Sequence, residues 1–226
     1  MTALLMGSLS TLCDTSELQR EAFNDAFRKH DLDWHWTREQ YVALLQGSGG
    51  VRRIAEQAAA TGQQVDAEGV HATKSDLFQT RLLTGGLEPR PGVVETVHQA
   101  RKAGHQVALV TTTSSQNVAA LLIGLSPHLT PGDFDLVVDA TCVTSGKPDP
   151  AAYAYALEHL HVAATSCVAV EDNVPGMQAA AGAGIACLAF PNANTAGHDF
   201  TGAADRVSRL DLPTVLAALD PALTQR

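Results

Sequence analysis

Hydroxyl, ammonium and carboxylate side chains at separate places in this chain have the chemistry needed to bind a phosphoryl group. The hydroxyls form the run Thr111–Ser114, the ammonium belongs to Lys147 in a Gly-Lys-Pro turn, and the carboxylates are Glu171 and Asp172. Hydroxyls and turn amides can hold an anion, and a lysine can hold a phosphate as a point charge. Adjacent carboxylates suit Mg²⁺.

Each of these groups also has a purely structural explanation. Lys147 could be a solvated loop residue, and Asp172 or Asn173 could cap the helix that follows. The run Thr111–Ser114 could likewise cap the next helix. The Gly and Pro residues that frame Lys147, and the presence of all these motifs in one chain, favour a functional site.

Short apolar runs bounded by turn residues alternate with helical patterns outside residues 15–83. This alternation predicts an α/β fold, a Rossmann-like doubly wound parallel sheet covered on both faces. The predicted helices lie at about 92–103, 115–124, 150–160, 174–182 and 213–219. The predicted strands are Ala3–Met6, Gln106–Val110, Phe134–Val138, Cys167–Val170 and Ile185–Ala189, and the whole of 1–12 is interpreted as buried strand. Ligands of such sheets bind at the carboxyl ends of the strands, where these polar groups stand.

Residues 15–83 interrupt this alternation and carry only helical patterns. We predict helices at about 16–30, 37–45, 50–61 and 66–82, with Trp34 and Trp36 packing the first of them on the second. The chain is therefore predicted to have an α/β core of residues 1–14 and 84–226 and an all-helical cap of residues 15–83 inserted after the first strand.

Composition excludes several classes of protein. The net charge of −9 argues against nucleic acid or an anionic membrane as a partner. No apolar run approaches transmembrane length. The cysteines at 13, 142, 167 and 187 form no C-x-x-C pair and have no zinc spacing, which predicts buried, reduced thiols and a cytoplasmic protein.

Taken together, these motifs resemble the haloacid dehalogenase superfamily, in its branch of CbbY-type sugar-phosphate phosphatases and β-phosphoglucomutases. The resemblance covers nearly the whole chain. Its motifs are residues 17–24, 32–34, 49–53, 90–92, 111–113, 147–148 and 171–172. It implies a phosphohydrolase with a small phosphorylated metabolite as substrate and Mg²⁺ as cofactor.

The resemblance also assigns roles to individual residues. Thr111 and Thr112 would hold the phosphoryl group, which Lys147 would neutralise, and Glu171 with Asp172 would bind the metal. In the cap, substrate selection is expected from the residues Gly49, Gly50 and Arg53. Gln19 stands where related members carry a histidine.

The first strand departs from the family pattern at its catalytic positions. The family has D-x-D-G-T-L there, and this chain has Gly7, Leu9 and Ser10 in place of the two aspartates and the glycine, while Thr11 and Leu12 are kept. Glycine cannot attack phosphorus or bind a metal, and leucine cannot transfer a proton. No catalytic residue is intact, so we expect the protein to be inactive or very weakly active.

The loss also changes the charge balance of the site. Without the two aspartates, Glu171 and Asp172 face Lys147, which can pair with either carboxylate directly. We therefore expect weak or absent Mg²⁺ binding, with Glu171 and Asp172 a vestigial metal site. An anion could still bind at Thr111, Thr112 and Lys147.

Three functions remain open at this stage. The first is a catalytically impaired relative that binds a phosphorylated sugar or an anion. The second is an active phosphatase that uses a different nucleophile in its first loop, such as Asp14, Ser8 or Ser10. The third is a non-catalytic subunit or interaction partner.

Overall fold

The computed structural model describes residues 2–47 and 49–219 and contains a parallel sheet of six strands in the order β3-β2-β1-β4-β5-β6. The predicted α/β doubly wound class is confirmed. The strands are β1 Ala3–Met6, β2 Gln106–Val110, β3 Leu136–Val138, β4 Cys167–Glu171, β5 Ala186–Ala189 and β6 Asp205–Arg206. Strand β1 lies between β2 and β4, with Leu5 paired to Ala108 on one side and Ala169 on the other.

Helices cover both faces of the sheet. They are α1 Leu9–Leu12, α2 Ser16–Lys29, α3 Arg38–Leu44, α4 Gly50–Thr61, α5 Ala67–Thr84, α6 Val93–Lys102, α7 Ser115–Gly124, α8 Ala151–Leu160, α9 Val174–Gly182 and α10 Leu212–Ala217. Alternate residues of β1 enter different cores: Leu4 and Met6 pack with α6, α7 and α10, and Leu5 packs with α8 and α9. This alternation follows from the period of a strand.

Helices α2–α5 have an aromatic core of their own. The Trp36 ring lies 4.9 Å from Phe23 and 6.2 Å from Tyr41, so that it joins α2 to α3. Trp34 packs edge-on against Phe27 at 5.3 Å. The predicted packing between α2 and α3 is confirmed for Trp36, whereas Trp34 contacts α2 and donates to Gln63 after α4. The division of the chain into core and cap domains stays a prediction.

Local differences from the prediction have physical reasons. Residues 9–12 form the helix α1 and not a strand, because backbone bonds from Thr11 to Ser8 and from Cys13 to Leu9 close helical turns. Strand β3 begins at Leu136, since the preceding residues 131–133 form a 3₁₀ helix. The short strand β6 carries exposed, charged side chains and has no apolar pattern to reveal it.

The remaining composition-based predictions concern thiols and membranes. The cysteines are all free, and Cys142 differs from the other three in being only partly buried. Within the residues described, no helix combines the length and the apolar character that crossing a bilayer requires.

Arg90 joins the segment after α5 to two parts of the core. Its guanidinium donates hydrogen bonds to the carbonyl of Ser10 at 3.2 Å, of Phe190 at 2.6 Å and of Pro191 at 2.7 Å. It also stacks over the Phe190 ring, 3.5 Å from the centroid. Because charged donors make the stronger hydrogen bonds, Arg90 holds the loop after β5 against the loop after β1.

Replacing this guanidinium is expected to destabilise the fold. For Arg90→Ala we predict a fall of about 2–3 kcal/mol in the free energy of unfolding, since buried carbonyls lose charged donors. Urea denaturation measures the change. The control is Arg52→Ala, whose exposed pair with Glu56 contributes at most about 0.5 kcal/mol; equal effects of the two substitutions would contradict this role.

Candidate functional site

Lys147 lies at the point where the carboxyl ends of β1, β2 and β4 meet. Its ammonium donates to the carbonyl of Gly7 at 3.0 Å, to the carbonyl of Val110 at 2.7 Å and to Glu171 Oε1 at 2.5 Å. The side chain is buried. The sequence left either Glu171 or Asp172 as the ion-pair partner of Lys147, and the structure shows an ion pair with Glu171.

The carboxylate of Glu171 fills the space beside two glycines. An added Cβ on Gly7 would lie 2.1–2.5 Å from the carboxylate atoms, and one on Gly176 would lie 2.2–2.5 Å from them. Oε1 also accepts a hydrogen bond from the Tyr153 hydroxyl at 2.7 Å. Glu171 therefore stands where a side chain on residue 7 would begin, and the missing Cβ of Gly7 is what makes room for it.

Burial and ion pairing act in opposite directions on Glu171. Its side chain is fully buried, and burial raises the pKa of the carboxyl group, while the Lys147 ammonium works to lower it. The pKa of Tyr153 is raised well above its usual value by burial and by this carboxylate. Tyr153 therefore stays protonated and serves as a hydrogen-bond donor.

Asp172 has its acceptor positions taken by neutral side chains. Ser8 and Asn173 donate to Oδ1, and Asn192 donates to Oδ2 at 2.9 Å. Burial raises the pKa of Asp172, and Arg90 is one of the groups that oppose the rise. Asn173 caps α9, because its side chain accepts from the Gly176 amide at 2.8 Å. Asp172 therefore does not cap this helix.

The hydroxyl run after β2 is partly engaged in shaping its own turn. The Thr111 hydroxyl accepts from the Thr113 amide at 3.3 Å, and Ser114 caps α7 by accepting from the Asn117 amide at 3.3 Å. The capping alternative is thus correct for Ser114. Thr111 and Thr112 both reach a cavity above the sheet.

This cavity has a volume of about 800 Å³ and lies between the strand ends and helices α2, α4 and α5. A bond of 3.0 Å from Gln79 on α5 to Asn117 on α7 links its two sides. It brings together most of the predicted site residues, namely Gly49, Gly50, Arg53, Thr111, Thr112, Lys147 and Asp172, but its lining does not include Gly7 or Glu171. Of the two adjacent carboxylates, Asp172 therefore lines the cavity and Glu171 does not.

The predicted substrate loop is held by its own arginine. Arg53 donates to the carbonyl of Leu44 at 3.0 Å and of Gly47 at 2.6 Å. Gly49 has a φ of 94°, which disfavours other residues. A Cβ on Gly50 would lie 2.4 Å from His71 Nε2. Arg53 therefore shapes the loop, and its role in substrate selection stays a prediction.

Sequence reasoning missed Lys74, which also lines the cavity. Its ammonium nitrogen lies 4.8 Å from the Phe23 ring centre and 4.7 Å from that of Phe78, and it donates to Gln19 Oε1 at 3.2 Å. Burial, with Arg53 assisting, lowers the pKa of Lys74 to about 7. The available signal was a lysine within the i, i+4 stripe of buried residues Val70, Lys74, Phe78 and Leu82.

The three alternative nucleophiles, Asp14, Ser8 and Ser10, have different surroundings in the structure. Asp14 is exposed, and its carboxylate accepts from the Ser16 amide and hydroxyl, which sets the turn into α2. The Ser10 hydroxyl pairs with that of Thr15 at 2.7 Å. Ser8 and Ser10 both line the cavity, and Ser8 differs from the other two because its hydroxyl donates to Asp172.

A family model described as haloacid dehalogenase-like hydrolase matches residues 10–184, beginning just past Gly7 and Leu9. The chain belongs to this family. It is 35% identical over 204 residues to the protein CbbY of Cereibacter sphaeroides, covering 89% of each chain. It is 36% identical over 214 residues to the plasmid CbbY protein of Cupriavidus necator, covering 90% of this chain and 83% of that one. These relatives indicate the CbbY-type branch.

Solved structures of this branch share the same fold. The crystal structure of CbbY from Rhodobacter sphaeroides in complex with phosphate superimposes with a TM-score of 0.87 at 34% identity, covering 97% of this chain and 100% of that one. A mutant of the same protein has been solved with xylulose-(1,5)bisphosphate, with the same TM-score, identity and coverage. This haloacid dehalogenase-like chain thus has the fold of a protein that has been solved with phosphate and, as a mutant, with xylulose-(1,5)bisphosphate.

The contact between Gly7 and Glu171 can be tested by adding one methyl group. Gly7→Ala is expected to lower the free energy of unfolding by about 1–3 kcal/mol, because the Cβ collides with a buried, paired carboxylate. Thermal and urea denaturation measure the loss. The matched control is Gly197→Ala, where a Cβ meets nothing within 4 Å. If Gly7→Ala left the free energy of unfolding unchanged, the Glu171 carboxylate could not occupy the space beside Gly7.

Lys74 should make stability depend on pH. Folding lowers its pKa from 10.5 to about 7, so between those values the unfolded chain binds more protons and the stability of the native protein rises with pH. A pKa difference of one between the folded and unfolded chain corresponds to about 1.4 kcal/mol. Removing the lysine removes this cost of folding, so Lys74→Met should stabilise the protein by about 2–4 kcal/mol at pH 7 and by much less at pH 10.

Urea denaturation at the two pH values provides this comparison. The control is Lys29→Met, which removes an exposed lysine at the end of α2. A stabilisation by Lys74→Met that is equal at both pH values would show that Lys74 does not bear this proton linkage.

Proposed function

We propose that this haloacid dehalogenase-like chain is a catalytically impaired member of the CbbY-type branch that binds a small phosphorylated sugar or another anion. The observation that carries the proposal is the Glu171 carboxylate, paired with Lys147 and packed against Gly7. A residue without a side chain cannot form a phosphoryl-enzyme bond, and the adjacent space holds an ion pair. The free thiols support the predicted cytoplasmic location.

The donor set at the strand ends argues against a tight magnesium site. Glu171 is sealed from the cavity, and both oxygens of Asp172 already accept hydrogen bonds. Magnesium binding generally needs several oxygen ligands in near-octahedral arrangement, so we assign no step of any reaction to a metal here.

Anion binding rests on the groups that remain in the cavity wall. Thr111 and Thr112 bring hydroxyls, and Lys147 lines the same cavity with its ammonium paired to Glu171. Helix α7 begins at Ser115, and the partial positive charge of a helix N-terminus favours an anion. Binding is expected to be weaker than at a site with an unpaired lysine.

The decisive experiment compares the native chain with the triple variant Gly7→Asp, Leu9→Asp, Ser10→Gly. Both are assayed with Mg²⁺ on a panel of sugar phosphates that includes xylulose 1,5-bisphosphate. Because removal of a nucleophile from a covalent mechanism can cost about a million-fold in turnover, we expect the triple variant to exceed the native chain by at least about a thousandfold.

The matched control is the double variant Leu9→Asp, Ser10→Gly, which restores the acid/base and the loop but not the nucleophile. It should remain as inactive as the native chain. Equal, metal-dependent turnover by native and triple-variant proteins would overturn the proposed impairment.

A thermal-shift measurement with inorganic phosphate tests anion binding separately, and Thr112→Val should reduce the rise in melting temperature that phosphate causes.

A second function, phosphatase activity through Ser8, is favoured by one contact. The Ser8 hydroxyl donates to a buried carboxylate, Asp172, inside the cavity, which is the arrangement of a hydroxyl nucleophile beside a base. Ser8→Ala separates the two functions. Turnover by the native chain that disappears in Ser8→Ala would favour this alternative over an impaired protein.

A further inference from the structure

Lys74 differs from every other lysine of this chain. Lys29 and Lys102 are exposed, and Lys147 is buried with its ammonium donating to two carbonyls and a carboxylate. Lys74 is buried to 4% exposure among Phe23, Phe78 and the amide of Gln19. No described carboxylate lies within ion-pair distance of it, and the charged group acting on it is another cation, Arg53.

This environment favours the neutral amine over the ammonium. Aromatic faces and one amide oxygen do not replace the hydration that a buried ammonium loses, so burial lowers the pKa of Lys74 to about 7. Two other titratable residues of α5, His71 and Asp76, line the same cavity; burial lowers the pKa of His71 to about 4, so it remains neutral, and Asp76 makes no ion pair with Lys74. Near neutral pH a large fraction of Lys74 therefore carries a free electron pair.

The cavity gives this amine access to a ligand. Lys74, Gln19 and Phe23 all line the space of about 800 Å³ that also contains Thr111 and Thr112. A deprotonated lysine in an apolar pocket is a nucleophile toward carbonyl carbon. Open-chain sugars and sugar phosphates carry such a carbon and are small enough for this volume.

We propose that Lys74 is a carbonyl-binding residue whose amine forms a reversible imine with an aldehyde or ketone ligand in the cavity. The nitrogen attacks the carbonyl carbon to give a carbinolamine. Loss of the carbonyl oxygen as water, with the two amine protons, leaves a carbon–nitrogen double bond, and addition of water reverses the step. No oxidant or metal is required. The inference goes beyond the proposed anion binding and does not depend on it.

Reductive trapping tests this chemistry on the full chain. Native protein is incubated with glyceraldehyde 3-phosphate and cyanoborohydride, which reduces the imine to a stable secondary amine, and peptide mass spectrometry measures the adduct on each of the four lysines. We expect Lys74 to be labelled at least about tenfold faster than Lys29 and Lys102 at pH 7.5, with the rate rising most steeply near pH 7.

Lys74→Arg should abolish this fast labelling and leave the slow labelling of Lys29 and Lys102 unchanged. If the variant does not fold, the comparison among the lysines of the native chain still decides the question. Labelling of Lys74 that is no faster than that of the exposed lysines, or that rises only near pH 10, would overturn the proposal.

A parallel experiment with glyceraldehyde, which lacks the phosphate, separates this inference from the proposed function. Fast labelling of Lys74 by both aldehydes at equal rates would support the imine while counting against phosphate recognition. Faster labelling by the phosphorylated aldehyde, reduced by Thr112→Val, would support both. No fast labelling by either aldehyde would overturn the imine and leave the phosphate thermal shift as the separate test of anion binding.

Discussion

The ion pair between Lys147 and Glu171 is the contact on which the active-site region of this haloacid dehalogenase-like chain depends. It joins the ends of β1, β2 and β4, because the same ammonium also donates to the carbonyls of Gly7 and Val110. Buried charges persist when they are paired and hydrogen-bonded, and Glu171 Oε1 meets both conditions through Lys147 and Tyr153, while Oε2 is buried without a hydrogen-bond partner. The space that this pair occupies exists because residue 7 has no side chain. The absence of a side chain at residue 7 and the filling of the adjacent space by Glu171 are thus one structural feature.

Charge neutralisation stabilises the polar groups at the strand ends. Glu171 is balanced by Lys147, and Asp172 is surrounded by hydrogen-bond donors with Arg90 close enough to lower its pKa. The two oxygens of Asp172 already accept hydrogen bonds from Ser8, Asn173 and Asn192. The larger cavity above is polar on its sheet side and partly aromatic around Lys74.

Much of this could be predicted from sequence, for reasons tied to particular elements. The apolar runs that became β1, β2 and β4 are buried on both faces, so their pattern was unambiguous. Residues 9–12 were predicted wrongly because a single helical turn of apolar residues has the same composition as a strand. The partner of Lys147 and the placement of Lys74 required the tertiary structure, since both depend on side chains far apart in sequence. Lys74 was the harder case, because a buried lysine on a helix is an exception to the usual pattern.

The most direct test of the neutralised site is a calorimetric titration of the native protein with Mg²⁺. At the strand ends Lys147 already supplies the positive charge that a metal would otherwise bring, and Glu171 is not presented to the cavity. The account predicts no saturable heat at millimolar Mg²⁺, with or without inorganic phosphate. Tight, stoichiometric binding that is lost in Asp172→Asn would contradict it.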